Sequence, residues 1–102
     1  MNVIFYGIFR NITGCNSNVV EIHPEMTIID VLEQVCERFP VLQEYFFNDT
    51  RNIRPSLPVF INGRNPRLLD EGFSTRIARD DVLSIFSPVS SGRMNVEKLR
   101  SE

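Results

Sequence analysis

The segment DVLSIFSPVSSG (residues 81–92) decides the fold, because it predicts a last strand that leaves the domain as a narrow tail. Its first half contains four residues of types that favour strands: Val82, Leu83, Ile85 and Phe86. Pro88 has no N–H to donate, so the strand is expected to end there. The segment then narrows to a residue without a side chain through Val89, Ser90, Ser91 and Gly92. Such an ending could enter a narrow channel of another protein; an ordinary polar loop after a strand is the alternative.

The composition is that of an ordinary globular domain, with 42% apolar and 24% charged residues among 102. This length fits one domain with a modest core. The net charge of −2, with acidic and basic residues interspersed, argues against a nucleic-acid surface. The longest apolar runs, residues 3–9 and 57–61, are too short to cross a bilayer, and we expect no signal peptide.

The two cysteines, Cys15 and Cys36, form neither a disulfide framework nor a metal-binding pattern. A reduced, cytoplasmic protein without a metal site is therefore expected. The single histidine, His23, precedes a proline in a connection and is interpreted as a solvated loop residue. No nucleophile–base pair and no phosphate-binding loop is evident, so an independent enzyme is the least favoured class.

One amphipathic helix is predicted after residue 27. Thr27 is a good N-cap, Asp30 occupies the third helical position of a capping box, and Pro40 ends the helix. Five apolar residues recur with helical spacing on one face: Ile28, Leu32, Val35, Cys36 and Phe39. We therefore expect that face, including the Cys36 thiol, to be buried in the core. Residues 41–47 could add a further turn of helix.

Four main strands, a short fifth strand and two long connections complete the prediction. Residues 2–10 form a strand with apolar side chains on both faces, and residues 19–22 pair antiparallel with it through a hairpin around Gly14. Residues 57–61 form a strand that contains Pro58, so its beginning is expected to lie at an edge of the sheet. The turn residues Asn62 and Gly63 follow it. Residues 48–56 are expected to be a long mobile loop.

The connection of residues 64–77 is interpreted as an irregular crossover with a short strand near residues 67–69. We expect four apolar side chains of this crossover to point inward: Leu68, Leu69, Phe73 and Ile77. The last strand follows it, within residues 81–92, and ends at Pro88.

This order of elements predicts an α+β fold in which one main helix packs on one face of a mixed sheet. A right-handed crossover places the first and last strands side by side and parallel, as in the β-grasp (ubiquitin-like) fold. The uncovered face would carry six apolar residues: Ile4, Tyr6, Ile8, Phe60, Val82 and Phe86. A monomer seldom exposes so much apolar surface, so this face is predicted to bind a different protein or a second copy of the chain.

Three segments resemble the small subunit of molybdopterin synthase (MoaD) and the related ThiS-type carriers. They are FYGIFRNITG (residues 5–14), FINGRNPRLLDEGFSTRI (residues 60–77) and IFSPVSSG (residues 85–92). The resemblance spans residues 1–92, which we interpret as the β-grasp domain with its tail, and leaves residues 93–102 as a flexible extension.

The resemblance implies a sulfur carrier in molybdopterin (molybdenum cofactor) biosynthesis rather than an independent enzyme. An adenylating, ubiquitin-activating-like enzyme would use ATP to convert the Gly92 carboxylate into an acyl-adenylate and then a thiocarboxylate. The carrier itself would bind no cofactor. The molybdopterin synthase large subunit or another sulfur acceptor would take up the tail, and Phe86 matches a position that packs on partner proteins.

Two departures from the family pattern leave alternatives open. Ser91 replaces the penultimate glycine, and residues 93–102 follow Gly92, so activation requires their removal. One alternative is a non-catalytic ubiquitin-like binding subunit that has lost the terminal Gly-Gly. The other is a ubiquitin-like modifier that is attached to lysines through Gly92.

Overall fold

The structure is a computed structural model that describes residues 1–87, in which a four-stranded mixed sheet is covered on one face by one long helix. The strands are β1 (Asn2–Phe5), β2 (Ser17–Val19), β3 (Val59–Ile61) and β4 (Val82–Ile85). The α-helices are α1 (Ile8–Thr13), α2 (Ile28–Arg38) and α3 (Gln43–Phe46). Three short 3₁₀ helices are Pro40–Leu42, Pro66–Leu68 and Gly72–Ser74.

The order of strands across the sheet is β2-β1-β4-β3, which confirms the predicted β-grasp topology. β1 pairs parallel with β4, and the two outer pairs, β1 with β2 and β3 with β4, are antiparallel. The register of the central pair runs from Asn2 opposite Val82 to Phe5 opposite Ile85. The last strand therefore lies inside the sheet, flanked on both sides.

The capping box starts α2 as its sequence predicts. The Asp30 backbone N–H donates to Thr27 Oγ1 at 3.4 Å, and the Thr27 backbone N–H donates to Asp30 Oδ2 at 2.9 Å. These two bonds satisfy donors that would otherwise have no partner at the first turn. α2 ends at Arg38, ahead of Pro40.

The core lies between α2 and one face of the sheet. Alternate residues of the two central strands are fully buried there: Val3, Phe5, Leu83 and Ile85. From α2 five residues are buried: Ile28, Val31, Leu32, Val35 and Cys36. The Phe39 ring, just past the helix, meets the Phe5 ring edge-on at 5.9 Å between centroids.

The prediction of one strand over residues 2–10 is wrong beyond Phe5. Gly7 has a φ of +65° and turns the chain out of the sheet into α1. Phe9 is still buried, now from the helix, which is why the apolar pattern of this segment imitates a longer strand. Ile8 was predicted on the uncovered sheet face, but it lies in α1 and packs against the core.

Other boundaries also differ from the prediction. β2 is Ser17–Val19 rather than residues 19–22, and of the later predicted residues Val20 still exchanges backbone hydrogen bonds with Met1. The predicted strand near residues 67–69 is instead a 3₁₀ helix, Pro66–Leu68, whose first turn is capped by Asn65. A proline at the first position suits a helical turn and cannot donate to a ladder.

Leu68 was predicted to point inward but is 83% exposed. The other three apolar residues of the crossover, Leu69, Phe73 and Ile77, do pack against the core. The turn after β3 follows its sequence, since Asn62 and Gly63 both have positive φ and Ile61 pairs with Arg64 across them.

Residues 41–47 do contain a further helical turn, α3, and residues 48–56 form a hydrogen-bonded turn. The Asn48 side chain accepts bonds from the backbone N–H groups of Thr50 and Asn52, each at 3.0 Å. Among residues 1–87, no helix is long and apolar enough to span a membrane.

Candidate functional site

Three partly buried aromatic residues gather where the chain leaves β4, and we call Tyr6, Phe60 and Phe86 the aromatic cluster. The Tyr6 and Phe86 rings stack almost parallel, with centroids 4.3 Å apart and planes inclined by 5°. The Phe60 ring meets Phe86 edge-on at 5.6 Å. Each of the three directly follows a buried strand residue, namely Phe5, Val59 and Ile85, so the cluster lies on the sheet face opposite α2. The structure thus brings together three of the predicted site residues.

Backbone hydrogen bonds fix Phe86 from both sides. The Tyr6 N–H donates to the Ile85 carbonyl at 3.0 Å, and the Phe86 N–H donates to the Pro58 carbonyl at 2.9 Å. These bonds extend both ladders by one residue beyond the named strands. Because hydrogen bonds on both sides hold the backbone in place, the Phe86 ring has a defined position just before the predicted tail.

Ser87 is only 1% exposed, and it contacts a glycine that sequence reasoning missed. A Cβ atom placed on Gly7 would lie 2.7 Å from the Ser87 Cβ, closer than real Cβ atoms approach other atoms. Gly7 also has φ +65° and ψ −140°, a backbone conformation that is essentially restricted to glycine. The signal in the sequence was an isolated glycine inside an apparent strand, which often marks a close backbone approach.

The other predicted residues of this face surround the aromatic cluster. Ile4 and Val82 are partly buried on the same face, whereas Ile8 is absent from it because it lies in α1 and packs against the core. The Arg10 guanidinium lies 5.9 Å from the centroid of the Tyr6 ring, within the range of a cation–π contact.

A shallow groove of about 590 Å³ begins at Phe60 and is bordered by Arg64 and Leu68. The face is therefore apolar at its centre and cationic at its margin. The predicted tail lies outside the described residues; it consists of Pro88, Val89, Ser90, Ser91 and Gly92.

The remaining reactive side chains do not converge on this face. Burial raises the pKa of the Cys36 thiol from 9.0 to about 12, and the charge of Glu33 adds to the effect. A thiol with such a pKa is protonated at neutral pH and is a poor nucleophile. His23 is exposed, and residues 1–87 contain no group of three or more metal-ligating side chains. What the described chain offers is a surface for recognition and an anchored exit for its terminus.

Comparison with known proteins places the chain in a family. The family model described as "ThiS family" matches residues 3–92. No curated protein matched the chain.

Several solved structures share the fold. SAMP1 from Haloferax volcanii has a TM-score of 0.77 and 23% identity, over 90% of this chain and 98% of that one. The small archaeal modifier protein 1 (SAMP1) from Methanosarcina acetivorans has a TM-score of 0.73 and 28% identity, over 89% and 94%. A putative molybdopterin converting factor, subunit 1, from Pyrococcus furiosus has a TM-score of 0.66 and 18% identity, over 86% and 95%. With its β-grasp sheet and a family match that runs to Gly92, the chain belongs to the ThiS family of ubiquitin-like proteins.

Proposed function

We propose that this protein is a sulfur carrier of molybdopterin biosynthesis that acts through Gly92 after residues 93–102 are removed. The observation that carries the proposal is the extent of the family match, which covers residues 3–92 and stops at the glycine of the predicted tail. The sheet supports it as well, because Phe86 and Ser87, the last described residues before the predicted tail, directly follow the central strand β4.

The chemistry requires a free carboxylate at Gly92. An oxygen of that carboxylate attacks the α-phosphorus of ATP on the activating enzyme, and pyrophosphate leaves. A hydrosulfide ion then attacks the acyl carbon and loses its proton, AMP leaves, and a thiocarboxylate remains. While Gly92 is joined to Arg93 in a peptide bond no such carboxylate exists, so removal of residues 93–102 is the first step.

The aromatic cluster supplies the recognition that this chemistry needs from the carrier. Partly exposed aromatic rings on a rigid backbone are the groups that most often anchor protein interfaces. The cluster adjoins the exit of the tail, so a partner that binds it is positioned to receive the terminus. We propose that the adenylating enzyme and the sulfur acceptor, the molybdopterin synthase large subunit, use this face in turn.

A comparison of two chains tests the activation step. The chain ending at Gly92 and the full-length chain are each incubated with the adenylating enzyme of the same organism and ATP. The shorter chain should support exchange of pyrophosphate into ATP and, with a sulfur donor, gain the mass of sulfur in place of oxygen. The full-length chain is the matched control and should do neither. Failure of the shorter chain in both assays would overturn the carrier proposal.

Processing in the native host is a separate test. Intact-mass analysis of the endogenous protein should find a species that ends at Gly92. If the full-length chain is the only form, the protein acts as the non-catalytic binding subunit suggested by Ser91 and the extension.

The destination of the sulfur is tested with the large subunit. The thiocarboxylated chain, mixed with that subunit and the pterin precursor, should lose its sulfur as molybdopterin forms. Retention of the sulfur would exclude the molybdopterin role while leaving the carrier role intact.

Modification of proteins is the second candidate, and the similarity to SAMP1 from Methanosarcina acetivorans favours it. In that case a lysine amine attacks the same acyl-adenylate, and an isopeptide bond to Gly92 forms as AMP leaves. Protein adducts carrying the tail should then accumulate in cells that express the chain ending at Gly92. They should disappear when the chain ends at Ser91.

A further inference from the structure

The contact between Gly7 and Ser87 differs from the surroundings of two other glycines of the described chain. Gly14 and Gly63 also have positive φ, +75° and +82°, but an added Cβ would meet nothing within 4 Å at either position. At Gly7 the added atom would lie 2.7 Å from the Ser87 Cβ. Gly7 is therefore required both for its backbone conformation and for the space that it leaves to Ser87.

Ser87 has little freedom to retreat from such an atom. The residue before it, Phe86, is bonded through its N–H to Pro58 and stacked on Tyr6. Tyr6, the residue before Gly7, is bonded through its N–H to the Ile85 carbonyl. Each partner of the contact thus directly follows a residue that is held by a ladder, so a larger residue at position 7 must displace the backbone at Gly7 or at Ser87.

We propose that Gly7 is a positioning residue, which sets the direction in which the chain leaves the body after Ser87. If the proposed function is correct, this direction determines how Gly92 is presented to the activating enzyme. Gly7 lies just after β1 and eighty positions before Ser87 in the sequence, and it thus helps to present the terminus.

If the collision with Ser87 redirects the chain, a second substitution at Ser87 should restore the original direction. Gly7→Ala adds the atom that meets Ser87, and Ser87→Gly removes the atom that it meets. The double variant keeps the backbone strain of Ala at position 7 but loses the collision. Gly14→Ala is the control, because it introduces a side chain at positive φ where no neighbour is present.

The direction of the tail can be measured without any partner. A nitroxide is attached to Ser90→Cys in the full chain with Cys15→Ser, since Cys36 is buried and keeps its proton. Broadening of backbone amide signals then reports which side of the body the tail visits. We expect Gly7→Ala to shift the broadening to a different set of amides, the double variant to restore it, and Gly14→Ala to leave it unchanged.

A folded Gly7→Ala protein with the original broadening pattern would overturn the proposal, as would a changed pattern that Ser87→Gly does not restore. If Gly7→Ala does not fold, Ser87→Gly alone decides. It removes the Cβ atom of the contact and should spread the broadening over more amides, whereas Ser87→Ala, which loses only the hydroxyl, should not. An unchanged pattern in Ser87→Gly would again overturn the inference.

The second readout uses the activating enzyme and the chain ending at Gly92. A misdirected tail should raise KM about tenfold while kcat changes little, because a smaller fraction of chains presents the tail in the productive direction and those that do react normally. In the double variant KM should fall back to near the value of the unaltered chain. If no variant, including the unaltered chain, is activated, the proposed function fails, while the broadening experiment still judges Gly7 by itself.

Discussion

The two faces of the central strands use the same kinds of side chain for opposite purposes. On the face toward α2, Phe5 and Ile85 are completely buried. On the other face, the next residues along each strand, Tyr6 and Phe86, are partly exposed and stack on each other. Because side chains alternate along a strand, one short segment contributes to the core with one residue and to recognition with the next. Stability and binding should therefore be separable by mutations only one residue apart.

The largest effect should come from the covered face. Phe5→Ala removes a fully buried ring that contacts Phe39 edge-on, and it should lower the free energy of unfolding by about 3–5 kcal/mol. Urea unfolding followed by circular dichroism measures the change. A loss below that caused by Phe86→Ala would mean that the assignment of core and recognition faces is inverted.

The helix that covers this face should show the next largest effect. Thr27→Ala removes the hydroxyl that caps α2 and should cost about 1–2 kcal/mol of stability. Partner binding should remain unchanged once the protein is folded, because Thr27 is remote from the aromatic cluster. Ser56→Ala is the control, since Ser56 is exposed outside the helices and strands and its loss of a hydroxyl should change stability by less than about 0.5 kcal/mol.

On the uncovered face, a mutation should weaken partner binding more than it lowers stability. Phe86→Ala loses the stack on Tyr6 and the edge contact with Phe60, worth about 1 kcal/mol of stability. Affinity for the activating enzyme should fall more steeply, by about tenfold or more, as expected for an aromatic anchor at an interface. Calorimetric titration of the folded variant measures this. An unchanged affinity would remove the aromatic cluster from the proposed interface.

The smallest effect at neutral pH concerns the protonation of the Cys36 thiol on the covered face. The pKa of Cys36 is raised by burial from 9.0 to about 12, so the folded protein holds this proton more tightly than the unfolded chain. The resulting stabilisation is complete below pH 9 and is lost as pH rises toward 12. Unfolding measured across this range should show a smaller decline for Cys36→Ala than for the unaltered protein. Equal declines would show that Cys36 contributes nothing to the pH dependence.

Sequence patterns predicted the parts of the fold that are set by local chemistry. Thr27 and Asp30 fixed the start of α2, and the apolar spacing identified its buried face. The turn at Asn62 and Gly63, and the parallel pairing of the first and last strands, also followed from residue types and from the handedness of crossovers. Each of these depends on residues close together or on a general rule of topology.

The errors arose where distant contacts decide the conformation. Phe9 suits a buried position in a strand or a helix equally well, so only the turn at Gly7 distinguishes the two. Leu68 has the chemistry of a core residue, but the 3₁₀ helix begun by Pro66 turns it outward. For the candidate site, Tyr6, Phe60 and Phe86 were predicted, whereas the Gly7–Ser87 contact joins residues eighty positions apart, and no local pattern shows it.

The central position of β4 has a mechanical consequence. The chain leaves this strand at Phe86 with a ladder on each side, parallel to β1 and antiparallel to β3. Tension applied at the carboxyl end acts along the strand, so the hydrogen bonds of both ladders bear the load together instead of opening one after another. A partner can thus pull on the terminus without separating β4 from the sheet. An unfolding motor that pulls from this end must break both ladders in its first step.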